Sequence, residues 1–392
     1  MSEQPLQKKG RLLSLDVFRG ITIAGMILVN NPGTWSDIYP PLRHAKWHGC
    51  TPTDLIFPFF LFIVGVAITL SLSKRKERGD DQSALIKNII RRSAILFGLG
   101  LILASFPFIR VWDQGFGAAI ASIGDTFANI RIPGVLQRIA LVYLITAILF
   151  LKMSIKNIAY LGGGLLLFYW LIMTLIPVPG VGYANLEPTT NLAAWFDNMI
   201  LNGHMWSATK VWDPEGLLST LPAIGTAIIG ILTGDWIRRD HEPKTKALWM
   251  FFWANILLLA GYVWSGFFPL NKSIWTSSYV LYTGGLALHF LTMCYWIIDV
   301  LGYKKWAKSF EVYGMNAITV FFLSGIIGRL MYVIKIPQDG GTSITLKNFL
   351  FESIFLPIFD PINASLAWAL TYIIIWLGFM WILYSKKIFI KV

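Results

Sequence analysis

Residues 43–49 read RHAKWHG, two histidines, a lysine and a tryptophan within one short run. His44 and His48 stand four apart, a spacing that on a helix can share a metal. The run is HAKWH, however, and lacks the glutamate of the HExxH zinc pattern. Cys50 and Cys294 lie far apart and show no metal-site spacing. No metal site is expected. Acid–base chemistry remains: an imidazole changes charge near neutral pH and is the most common proton-transfer group in enzymes. Asp54 follows ten residues later, in TPTDLIFPFFLF. It can cap the helix that opens there, where the helix dipole favours a carboxylate. It can also orient the ring of His44, as carboxylates do in many histidine sites. The short intervening segment favours the second reading.

Further ionisable groups sit where they are costly. In LSLDVFRGITIAGMILVNN, Asp16 and Arg19 are three apart and share a helix face. Ile23, Met26 and Asn30 extend that stripe, which runs about 21 Å from Asp16 to Asn30. Asp16 and Arg19 are either a structural ion pair or part of a ligand site. RIPGVLQRIAL carries Gln137 and Arg138 into another apolar run. A cation there needs a carboxylate partner or a ligand phosphate or carbonyl. For Glu215 in DPEG, Asn316 in YGMNAI and His289, structural hydrogen bonding is the expected role.

The elements that must position these groups follow from composition. Of 392 residues, 55% are hydrophobic and 14% charged, and the mean hydropathy is +0.60. That excludes an ordinary soluble domain. Runs near 20 apolar residues, the length needed to cross a bilayer, recur along the chain. They predict an all-α polytopic membrane protein of ten spans, roughly 13–31, 51–73, 84–105, 133–151, 155–176, 217–237, 246–265, 276–300, 309–333 and 362–385. The segment 346–358 is too short to cross and is expected to lie in the interface or re-enter. No cleavage site follows the first run, so it is expected to act as a signal anchor.

With an even number of spans both termini share one side. That side holds the larger share of the 33 Lys and Arg, including KRKER at 74–78, RR at 91–92 and 238–239, and KK at 304–305 and 386–387. The positive-inside rule places it in the cytoplasm. The net charge of +12 is then a topology signal rather than a nucleic-acid footprint. The chain reads as a single domain, 1–392, with a cytoplasmic tail at 1–12 and a long outer loop at 177–216. His44 lies in an outer loop. GILTG at 230–234 fits the GxxxG pattern of close helix packing. Intramembrane acid and base groups are also compatible with a proton-coupled transporter of a sugar or small solute, but no repeated halves are visible.

Longer motifs carry a resemblance. RLLSLDVFRGI (11–21), Asn30, RHAKWHGCTPTDLIFPFFLFIVG (43–65), RIPGVLQR (131–138), DPEGLL (213–218), YGMNAI (313–318) and KKIFIKV (386–392) resemble the transmembrane acetyltransferase family that includes lysosomal heparan-α-glucosaminide N-acetyltransferase and its bacterial relatives. The resemblance implies a bacterial inner-membrane homologue without the lumenal domain. It further implies transfer of acetyl from cytoplasmic acetyl-CoA to an amino sugar or glycan end on the far side. O-acetylation of an exported polysaccharide is the alternative with the same donor. The histidine of the family's H-A-x-W run is His44 here, and Asn30 accompanies it. In the mechanism this suggests, His44 is the base, Asn30 an oxyanion donor and Asp54 the holder of the imidazole. Gln137, Arg138, Asp16 and Arg19 are candidates for the acetyl-CoA passage. Expected partners are acetyl-CoA, the glycan acceptor and membrane lipid, with a homodimer admissible.

Overall fold

The computed structural model describes residues 12–108, 116–338 and 341–390. The tail expected at 1–12 lies outside these residues apart from Leu12. Helices α1 (Leu13–Asn30), α2 (Ile56–Glu77), α3 (Gln82–Ser105), α4 (Phe116–Ala128), α5 (Val135–Lys152), α6 (Ile155–Leu175) and α7 (Leu192–Leu201) form the first part. Helices α8 (Thr220–Arg238), α9 (Pro243–Trp264), α10 (Ser277–Tyr295), α11 (Lys308–Met315) and α12 (Ala317–Val333) follow. A small hairpin, β1 (Lys335–Pro337) antiparallel to β2 (Ser343–Thr345), leads to α13 (Leu346–Leu350) and α14 (Pro361–Ser385). Among the described residues nine helices are long and apolar enough to span a membrane. Their ends match the expected spans closely because about 30 Å of hydrocarbon fixes their length.

One expected span is corrected. The run 309–333 is not a single helix: α11 and α12 meet at a 70° bend. The break falls on Asn316, whose φ of −123° and ψ of 36° leave the helical region. Its buried side chain pairs with the chain's last segment instead. Nδ2 donates to Ile388 O at 3.1 Å, and Oδ1 accepts from Ile390 N at 2.9 Å. An amide side chain presents one donor and one acceptor, like a peptide group, so Asn316 holds the tail as a strand neighbour would. The loop expected at 177–216 is likewise not wholly irregular, since it contains α7, and α4 lies in the connection between α3 and α5. The short segment 346–358 opens with α13 and a five-residue π turn.

Backbone contact, not side-chain bulk, sets the tightest helix pair. A Cβ on Gly65 of α2 would stand 1.9 Å from Ala227 O of α8, and one on Gly230 of α8 would stand 2.1 Å from Phe62 O. Gly234, the second glycine of GILTG, meets Thr69 of α2. Lipid tails are as apolar as leucine, so helices in a bilayer associate through such close approach. Gly20 of α1 and Gly314 of α11 make an equivalent contact. Lys76, within the KRKER run, donates to Phe150 O and Met153 O at 2.6 and 2.8 Å and so caps α5. Gly230→Leu is therefore expected to separate α2 from α8. Overpacking of this kind costs roughly 1–3 kcal/mol, and a lower unfolding temperature in detergent should report it. Unchanged melting would show that the α2–α8 contact contributes little.

Candidate active site

At the end of the bundle where α1 finishes and α2 begins, Asp54 organises the loop before it. Thr51 caps the 3-10 turn Pro52–Leu55 in a capping box with Asp54. Asp54 Oδ2 accepts from Ala45 N, Thr51 N and Thr51 Oγ1, each at 3.0 Å. Its Oδ1 lies 2.6 Å from His44 Nδ1. Tyr279 of α10 donates its hydroxyl to Asp54 O at 2.5 Å. Asp54 is 1% exposed while the His44 side chain is 47% exposed. The carboxylate thus serves both roles read from sequence: it caps the helix and meets the ring. An ionised Asp54 fixes the proton of a neutral imidazole on Nδ1, leaving Nε2 as the acceptor.

A second loop, between α9 and α10, closes over this pair. Gly49 N donates to Leu270 O at 2.7 Å and ties the two loops together. Lys272 Nζ then stands 3.2 Å from His44 Nδ1, 3.3 Å from His44 Nε2 and 4.0 Å from Asp54 Oδ1. Near-equal distances to both ring nitrogens put the amine against the imidazole face. Burial lowers the pKa of Lys272, against the pull of Glu215, Asp54 and Cys50. Burial also pushes the Cys50 thiol up to about 12, so it is not a ready nucleophile here. Trp275, fully buried, donates from Nε1 to Thr226 Oγ1 at 3.1 Å and presents its ring to Arg138 at 5.2 Å.

Arg138 itself is 1% exposed. It donates from Nη2 to Gly216 O at 2.8 Å and to Ser219 Oγ. Its Nε and Nη1, and Nε2 of the neighbouring buried Gln137, have no protein partner. Most buried N–H groups are bonded, so these three unpartnered donors stand out, with Gln137 packed toward Gly100 and Gly134 and Arg138 toward Gly216 and Ser219. The DPEG turn is held by Arg131, whose Nε and Nη2 reach the Asp213 carboxylate at 2.8 and 2.6 Å while Nη2 also contacts Glu215. Burial opposes the charge of Arg131, but Glu215 and Asp213 outweigh it and raise its pKa. Glu215 therefore has the structural role expected of it, and it also faces Lys272. Asp197 of α7 accepts from Leu217 N at 2.8 Å.

The other sequence-derived groups lie elsewhere. Asn30 is exposed at the last turn of α1. Asp16 and Arg19 pair at 3.1 Å and sit at the opposite end of the bundle. They line a cavity of about 2010 Å³ together with Arg92, Lys304, Lys308 and Lys387. Leu13 and Ile390, near the two described chain ends, share that lining. Its walls run inward over Phe60, Ile63, Val64, Leu96 and Ile139. Phe60 is one to two turns of α2 from Asp54, about 9 Å of helix rise, and Ile139 adjoins Arg138. Basic residues that sequence alone assigns to topology thus also form the lip of a deep apolar cavity. Lys272 and Asp197 went unread. A lone lysine in an outer loop otherwise poor in lysine, and an acid inside the apolar LAAWFDNMIL, were the available signals.

Fold and site together define a polytopic helical membrane protein with a His–Asp–Lys cluster at one end and a basic-lipped cavity rising toward it from the other. The chain belongs to the heparan-alpha-glucosaminide N-acetyltransferase family: the model of that family's catalytic region matches residues 11–265. It is 32% identical to the human heparan-alpha-glucosaminide N-acetyltransferase over an alignment of 366 residues, covering 79% of this chain and 52% of the relative. For the mouse protein of the same name the identity is 31%, covering 79% and 53%. The chain spans about half the length of the curated relatives it matches.

Burial pushes Asp197 up to about 6 from an ordinary 3.8, even though Leu217 N and Leu218 N donate to it. The folded state then holds its proton more tightly than the unfolded chain, and stability is lost as pH rises from about 4 to about 6. Asp197→Asn keeps an oxygen for Leu217 N and removes the buried charge. The variant should gain stability over the parent between pH 5 and 7, on the order of 1–3 kcal/mol. A melting difference independent of pH would contradict this.

Proposed function

We propose that this protein is a transmembrane acyltransferase that moves the acetyl group of cytoplasmic acetyl-CoA to the amine of an amino sugar on the extracytoplasmic side. The observation that carries the reading is the polarity of the bundle. A basic-lipped cavity opens at the end holding both described chain ends, and a histidine–aspartate pair stands at the other. The clustered cations Arg19, Lys304, Lys308 and Lys387 suit the phosphates of a CoA nucleotide, and the apolar walls suit a pantetheine arm. The orphaned donors of Gln137 and Arg138 suit an amide or thioester carbonyl arriving beyond Phe60 and Ile139. The relatives' activity, N-acetyl transfer to heparan-alpha-glucosaminide, supports acetyl transfer to the amine of an amino sugar.

In this reading the free amine attacks the thioester carbonyl, and His44 Nε2 takes the proton it loses. Asp54 holds the ring with Nε2 outward and stabilises the imidazolium that forms. The oxyanion of the tetrahedral intermediate needs a hydrogen-bond donor aimed at it. Asn30, exposed at the mouth of α1, is assigned that role. The positive excess at the cavity end supports a cytoplasmic position for that end, as in the inner membrane of a bacterial cell.

Purified protein offered acetyl-CoA and glucosamine should release CoA and form N-acetylglucosamine, and His44→Ala should abolish both with folding and membrane insertion intact. Near-parental activity in that variant would remove His44 from the chemistry. Replacing Lys304 and Lys387 together by Ala should raise KM for acetyl-CoA roughly tenfold and leave kcat nearly unchanged, since the contacts are equal in ground and transition states. A fall in kcat with KM constant would place the nucleotide elsewhere.

A further inference from the structure

We infer that Lys272 is the proton donor to the departing CoA sulfur, working beside His44 as the second member of an acid–base pair. The inference rests on the acetyl-transfer reading and adds to it a catalytic residue from a different loop. Thioester aminolysis needs a group to take a proton from nitrogen and a source of one for sulfur. A single imidazole can do both from one nitrogen, or a second group can share the work. Asp54 holds the ring in one orientation. Its 2.6 Å bond to Nδ1 pins the ring, and its second oxygen is fixed by three further donors. The second proton-bearing group against the ring is Lys272 Nζ at 3.2 and 3.3 Å, placed to supply the sulfur's proton while Nε2 still holds the amine's.

The position of Lys272 is built rather than incidental. Asn271 is fully buried. Its Oδ1 accepts from Ile274 N at 3.1 Å, and its own N–H donates to Thr276 Oγ1 at 3.1 Å, which in turn donates to Pro269 O at 2.8 Å. The next residue but two, Trp275, is locked against Phe57, Tyr279 and Arg138. The lysine stem thus leaves a rigid turn. The charged groups around its amine are Glu215, Asp54 and Arg138, with Cys50 the remaining titratable neighbour. Burial lowers its pKa, and an ammonium that parts with its proton more readily is a better match to a thiolate.

The protons balance as follows. The amine nitrogen bonds to the carbonyl carbon, and the carbonyl pair moves to oxygen. The adduct nitrogen gives its proton to His44 Nε2. The oxyanion re-forms the carbonyl, the C–S bond breaks with its pair to sulfur, and Lys272 Nζ protonates that sulfur. The imidazolium then gives its proton to water, and the neutral amine of Lys272 takes one up, which restores both groups. The net change is amine plus acetyl thioester to amide plus thiol.

A leaving-group series tests this on the full-length protein in detergent with glucosamine as acceptor. Acetyl-CoA leaves as an alkyl thiolate that benefits from protonation, whereas the acetyl thioester of 4-nitrothiophenol leaves as a stable anion that does not. Lys272→Met should lose about 100-fold or more in kcat with acetyl-CoA, the scale of general acid catalysis, and less than about tenfold with the aryl thioester. Lys272→Arg keeps the charge but cannot release a proton, and should lose as much as Met with acetyl-CoA. Equal losses on both donors, or rescue by Arg, would make Lys272 a positioning residue and overturn the proposal. So would mass-spectrometric acetylation of Lys272 in the resting parent, which would mark its amine as an acceptor. If the parent transfers acetyl from neither donor, the acetyl-transfer reading itself fails, and the acid–base pair falls with it.

Discussion

One carboxylate governs the geometry of the end of the bundle that carries His44. Asp54 takes four hydrogen bonds from three residues, and its own carbonyl is held by Tyr279 from across the bundle. An ionised carboxylate that is 1% exposed is tolerable only when its lone pairs are filled. The Arg43–Thr51 loop folds in the one way that fills them. His44 is therefore placed by the needs of Asp54, and the loop that bears Lys272 packs onto the surface so made. Removing the carboxylate would release the ring, the loop and the helix cap at once.

The remainder of the molecule keeps two sets of ionisable groups apart. The cations Arg19, Arg92, Lys304, Lys308 and Lys387 are gathered at the mouth of an apolar-walled shaft at one end, and the His44–Asp54–Lys272 cluster stands at the other. Tight α2–α8 and α1–α11 contacts through glycine keep the walls of that shaft rigid. The Arg131–Asp213–Glu215 clasp pairs its buried charges with one another, as the interior of a membrane protein demands.

Much of this was legible in the sequence. Bilayer thickness dictates helix length, so the spans could be placed to within a few residues. The Asp54–His44 contact was legible too, since a loop of nine residues leaves few alternatives. The break at Asn316 was not. The letters AITVFF continue as apolar as before, and only the distant tail, Ile388 to Ile390, takes up the broken backbone's freedom. Lys272 was hidden for a similar reason: its meaning comes from Gly49 and Leu270 meeting, 221 positions apart, and no local pattern encodes that. The basic clusters were read for topology alone. Their second role as a cavity lip needs α1, α3, α11 and α14 in register around one space.

The clasp of Asn316 on residues 388–390 also sets an order of events during synthesis. Helices enter the bilayer as they emerge, and α1, α2 and α5 can pack long before translation nears its end. The mouth of the cavity is different, because Lys387, Phe389 and Ile390 form part of its rim. Those residues leave the ribosome after α1 to α14 have been made. A nascent or prematurely terminated chain can thus carry a finished histidine loop and still lack a complete rim around the basic cavity.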